Sequence, residues 1–174
     1  TIVATKRALL QRDGDIVSHV DGSSPVLFET VYNGNYFVTV KHRNHLGIMS
    51  ANALNLQGCS ATSIDLTNAN PIYTMPSIST TPRKQVGSVF TMWSADVNTN
   101  KNVKYNGLSN DKDKVLLAVG LGTPNNSVDN VYRMEDANMD GKIRYNNTDN
   151  DRMIIISNVG VNSPNNILNQ HTPN

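Results

Sequence analysis

Short apolar runs broken by turn formers dominate residues 1–70. Ile2–Leu10, Ile16–Val20, Val26–Glu29 and Tyr36–Lys41 are rich in β-branched or aromatic residues. Asp13-Gly14, Asp21-Gly22 and Asn33-Gly34 stand between them, as hairpin turns require. Tyr36, Val38 and Val40 fall on one face of an extended chain, and Phe37, Thr39 and Lys41 on the other. That alternation belongs to a sheet with one wet side. Leu54–Leu56 and Ile64–Leu66 continue it. The pattern predicts a β-sandwich over 1–70. Residues 71–87 carry Pro71, Pro76, Pro82 and the Ser77–Thr81 cluster. They read as a connector, although an irregular edge segment has the same composition.

Beyond residue 88 the alternation gives way to an internal repeat. Residues 96–126 align with 136–166 at an offset of 40 without a gap, and eleven of the 31 pairs are identical. The identities include Asp96/Asp136, Asn98/Asn138, Tyr105/Tyr145, Asn106/Asn146, Asn110/Asn150, Asp111/Asp151 and Gly120/Gly160. A repeat of this length marks the positions that each unit needs. The expected second domain is therefore 88–174, with two units of loop followed by helix. The helices are expected in the apolar runs Val115–Val119 and Met153–Ile156.

Composition sharpens the reading. Of 25 Asn in 174 residues, 16 lie beyond residue 100. Asn is poor inside helices but suits turns, caps and left-handed backbone. The excess thus points to loops, and some of it to oxygen ligands. The second unit opens Asp136-x-Asn138-x-Asp140-Gly141-x-Ile143, the first two-thirds of an EF-hand-type loop. A hard divalent cation needs six to eight oxygens, and a tight loop aims positions 1, 3 and 5 at one point while the carbonyl of position 7 points inward. The candidate ligands are Asp96, Asn98, Asn100 and Asn102 in the first loop, and Asp136, Asn138, Asp140 and Lys142 in the second.

Position 12 departs from the pattern. It is Gly107 in one unit and Asn147 in the other, and the shared carboxylate comes four residues later at Asp111 and Asp151. These acids are expected to close the sites after an insertion. Asp at a helix start is also a good N-cap, a rival role. Asn100-Lys101 replaces Asp140-Gly141 in the first loop, which removes a charge and an easy turn. Two Ca2+ sites are expected, the second tighter. No entering helix is expected before either loop, so the arrangement resembles a duplicated dockerin module.

The resemblance reaches further. Ala8-Leu9-Leu10-Gln11-Arg12-Asp13-Gly14-Asp15, Gly34-Asn35-Tyr36, His42-Arg43-Asn44-His45-Leu46-Gly47, Trp93, Asp96-Val97-Asn98, Tyr105 and Asn110-Asp111 occur in order. Together they resemble the C-terminal region of hemagglutinin- or adhesin-like surface proteins of type IX-secreting bacteria. That resemblance implies a fold that is mostly β with short helices: a transthyretin- or carboxypeptidase-regulatory-like sandwich, then the calcium module. It implies a secreted, cell-surface location and a structural or adhesive role. A C-terminal sorting or anchoring domain read by the secretion machinery is an alternative, as is a dockerin-like module binding protein or glycan. Expected partners are other surface proteins or neighbouring domains of a parent chain, with a homo-oligomer or fibre as a further option. The family pattern has a second acid where this chain has Met153, and Asp-Gly where it has Asn100-Lys101.

Other features narrow the classes. Lys+Arg number 15 against 14 Asp+Glu, a net charge of +1, which lacks the footprint of a nucleic-acid binder. No apolar run is long enough to span a membrane. No GxSxG, HExxH, P-loop or dinucleotide motif is present, and an enzyme is not expected. His42 and His45 would point to opposite faces of a strand, which favours a structural role. Cys59, the lone cysteine, reads as structural. The start at Thr1 without a leader suggests a processed chain or a fragment.

Overall fold

The computed structural model describes residues 1–58 and 60–173. Cys59 lies outside the described residues. The architecture is mostly small antiparallel strand pairs with two short helices. The chain forms two compact units, one of residues 1–37 and 53–64 and another of 38–52 and 65–174. This division differs from the expected boundaries at 70 and 87.

In the first unit, β1 (Ala8–Leu10) pairs with β2 (Ile16–Ser18) around the Asp13-Gly14 turn. β3 (Gly34–Tyr36) pairs with a later strand, Leu54–Leu56. Neither ribbon is wider than two strands. Leu9 and Leu10 stay 46% and 53% exposed, and the unit buries no hydrophobic side chain among its described residues. Two strands cannot cover both of their own faces, which leaves these apolar side chains in contact with solvent.

The second unit holds the core. β4 (Thr39–Val40) and β5 (Ile48–Met49) pair within it. Counting Leu54–Leu56 as β6, the next pair is β7 (Lys84–Val86) with β8 (Val89–Thr91). Segment 38–52 belongs here because Leu46 is buried among the repeat's apolar residues. In addition, the Leu46 amide donates to the Trp93 carbonyl.

The repeat builds itself twice. β9 (Asn102–Lys104) precedes α1 (Asp111–Val119), which leads to β10 (Ser127–Asp129); β11 (Lys142–Arg144), α2 (Asp151–Val159) and β12 (Ile167–Asn169) follow at the same offset. The pairing is reciprocal. β10 lies antiparallel to β11, and β12 to β9. Each unit's last strand therefore completes the other unit's loop strand, and neither half is whole alone. Val103 and Ile143, at position 8 of the loops, are fully buried. Burying side chains of this size contributes roughly 2–3 kcal/mol each. Val115 and Val119, and Ile155 and Val159, form buried stripes one helical turn apart, the spacing that faces a core.

Both helices are short and depend on their ends. The caps are Asn110 and Asn150, whose side chains accept from the amides of Asp113 and Met153. Asp111 and Asp151 are the first helical residues, so capping is not their role. Gly120 and Gly160 end the helices at φ +101° and +107°, a region that disfavours any Cβ. A Cβ at Gly120 would lie 2.6 Å from Thr123 Oγ1, whereas at Gly160 the nearest neighbour, Ser163 Cβ, is 3.8 Å away. Thr123 cannot swing aside freely, since its hydroxyl donates to Val119 and accepts from Asn126. Chemical denaturation should therefore show Gly160→Ala losing about 1 kcal/mol through strain alone. Gly120→Ala should lose about 1–2 kcal/mol more. Equal losses would show that the Thr123 contact relaxes at no cost.

Candidate metal centre

Each loop is wrapped around two carboxylates. Asp96 accepts the amides of Asn100 and Lys101 at 3.0 Å each. Asp136 accepts those of Asp140 and Gly141 at 3.1 and 3.2 Å. Asn98 and Asn138 accept from the same position-5 amides. Their Nδ2 groups donate to the carbonyls of Ser109 and Asp149 at 2.8 Å, which aims each Oδ1 toward the loop. Lys101 adopts φ +68° where the second loop has Gly141 at +80°. The missing glycine thus leaves the turn in place but puts a side chain into a left-handed conformation.

Asp111 and Asp151 are fully buried. Asp111 Oδ1 accepts the amides of Val97 and Asn98, and Oδ2 accepts that of Lys104 at 2.7 Å. Asp151 repeats the set with Ala137, Asn138 and Arg144. One carboxylate thereby ties the start of the loop, its strand and the helix N-terminus together. Burial raises the Asp111 carboxyl to about 7, opposed by its amide donors and reinforced by nearby Asp96. Burial raises Asp151 to about 6, with a smaller push from Asp136. Asp96 is also raised by burial.

The structure thus gathers Asp96, Asn98, Asn100 and Asp111 around one loop, and Asp136, Asn138, Asp140 and Asp151 around the other. Lys142 can offer only its carbonyl, because an ammonium has no lone pair. Asn102 Oδ1 is buried without a hydrogen-bond partner, an orphaned oxygen at position 7 of the first loop. Among the described residues, no three His, Cys, Asp or Glu side chains form a metal-holding group. A cation would need the Asn and carbonyl oxygens as well. The first loop has that neutral oxygen set. The second differs, because its acids already face guanidinium groups. Arg43 Nη2 lies 3.2 Å from Asp136 Oδ2 and Arg144 Nη1 lies 2.9 Å from Asp140 Oδ2. The expected ranking of the loops rests on charge count, and these pairs offset the extra charge.

Arg43 and Asn44 reach the second loop, a contact that strand reasoning missed. The chain leaves the sheet after Val40 and turns, so the opposite-face argument does not apply to His42 and His45. Their Nδ1 atoms are 2.9 Å apart, and burial lowers His45 to about 4. Asn44 Nδ2 donates to the carbonyls of Met134 and Asp136 at 2.9 and 2.8 Å. The available signal was the cluster of polar side chains directly after an alternating strand. The remaining repeat Asn also find partners: Asn106 donates to Asn165 and Asn146 to Asn125, again across the two halves.

No helix among the described residues is long and apolar enough to cross a membrane. No family model matches the chain, and no curated protein or solved structure matches it either.

Proposed function

We propose that this chain is a non-enzymatic, calcium-stabilised module of an extracellular surface protein, of adhesive or structural kind. The observation that carries the reading is the duplicated carboxylate-wrapped loop. Both copies use the same acceptors on the same amides, at equivalent positions, each leading into a capped helix. The dockerin-like description rests on this loop–helix duplication. The two halves also pair reciprocally, β10 with β11 and β12 with β9. The sandwich reading of the first half is supported only by the antiparallel ribbons β1–β2 and β3–β6. Calcium would bind the loop oxygens, stabilise the folded state alone and so raise its stability by linkage.

Thermal unfolding tests this. Trp93 is the only tryptophan and lies in the second unit, so its fluorescence follows the module. At a calcium concentration one hundred times Kd, linkage adds about 2.7 kcal/mol. The melting temperature should then be about 5–10 °C higher in calcium than in EDTA. Superimposable curves in millimolar calcium and in EDTA would refute the calcium reading.

A further inference from the structure

We propose that Arg43 is the resident cation of the second loop, holding Asp136 in place of calcium, so that this loop is folded without metal. The inference rests on the calcium reading of the loops and assigns their occupancy.

The geometry is that of a built site. Arg43 Nη2 pairs with Asp136 Oδ2 at 3.2 Å, with the two side chains 9% and 2% exposed. Its Nη1 donates to the Arg133 carbonyl. The guanidinium lies 4.1 Å from the centroid of the Tyr132 ring, where a cation is attracted to the ring face. Asn44, the next residue, holds the backbone on both sides of Glu135 through the Met134 and Asp136 carbonyls. The Asp96 amide in turn donates to the Asn44 carbonyl. The segment is anchored further along by Leu46 in the core and by the Gly47 amide, which donates to Gln170 Oε1 at 2.8 Å.

The chemistry favours exclusion of a divalent ion. Asp136 is position 1 of the loop, the carboxylate a calcium ion needs first. Calcium at that oxygen must displace a buried guanidinium, which would lose its partner in a dry site. The planar guanidinium divides its donors between the Asp136 carboxylate and the Arg133 carbonyl. Its presence lowers the apparent calcium affinity of the second loop roughly a hundredfold or more. Arg144 on Asp140 adds to the same effect. The repeat duplicates the loop but not the His42–Gly47 segment, which occurs once in the sequence. The two loops are therefore unequal. The second is held constitutively by its own chain, and the first is the one left to respond to calcium. That order reverses the ranking drawn from charge count.

Calorimetric titration of the full chain with CaCl2 tests this, using the wild type, Arg43→Gln and Arg43→Gln/Asp136→Asn. The wild type should bind one equivalent. Arg43→Gln should bind two, and the double variant should lose the added one. Two equivalents in the wild type, or no gain in Arg43→Gln, overturns the assignment. Should Arg43→Gln be unfolded in EDTA by Trp93 fluorescence, recovery of the folded signal in millimolar calcium supports the assignment, and failure to recover overturns it. A wild type that binds nothing refutes the calcium-stabilised reading. In that case a gained equivalent in Arg43→Gln still upholds the role of Arg43.

Discussion

Asp111→Ala is expected to cost the second unit about 4 kcal/mol, a large loss for a single substitution. The carboxylate is fully buried and serves the amides of Val97, Asn98 and Lys104. Removing it strands three donors, and each buried unsatisfied group costs about 1–3 kcal/mol. Local repair by water recovers part of that. Asp151→Ala should lose a similar amount, since Ala137, Asn138 and Arg144 occupy the matching places. Asp111→Asn should be milder. Its amide oxygen can still serve Val97 and Asn98, while its Nδ2 opposes the Lys104 amide. Urea unfolding followed through Trp93 measures all three. A loss below about 1 kcal/mol for Asp111→Ala would show that the three amides are satisfied without it.

The second large effect is on pH. In the folded chain, burial raises Asp111 to about 7 and Asp151 to about 6 from an ordinary value of 3.8. A carboxyl raised on folding binds more protons in the native state than in the unfolded one. Its contribution is fully present below about pH 4 and is lost as pH rises through the folded values. In EDTA, the module should therefore lose several kcal/mol between about pH 4 and pH 7. Asp21 and Asp65 are lowered by hydrogen bonds at the surface and act in the opposite sense, weakly, because solvent screens them. Urea midpoints measured across this range in EDTA give the slope. Midpoints that rise steadily toward pH 7 would mean that the amide donors outweigh burial.

Much of the second half was legible because it was written twice. Matching Asp96 to Asp136 and Asp111 to Asp151 located the loops, the helices and the buried acids without any three-dimensional information. The matched apolar pair Val103 and Ile143 is fully buried beneath the loops. What could not be read was long-range. Nothing in the local pattern of β9–β12 says that strands exchange between halves. A pairing within each half would satisfy the same kinds of backbone groups. The alternation across Tyr36–Lys41 is real, but it spans the break between compact units, so one strand signal hid a boundary. The polar residues after Val40 were visible as types. Their partner Asp136 lies more than ninety residues away, where no spacing rule reaches. Asn was the most misleading type. The excess reads as turns or ligands, yet Asn106, Asn125, Asn146 and Asn165 bond one another across the repeat.

The most direct measurement is a crystal structure grown in millimolar calcium, with anomalous differences used to locate the ion. One calcium is expected in the first loop, bound by Asp96, Asn98 and Asn100 at roughly 2.3–2.6 Å, with Arg43 still on Asp136. A saturated crystal with no ion near Asp96 would contradict it.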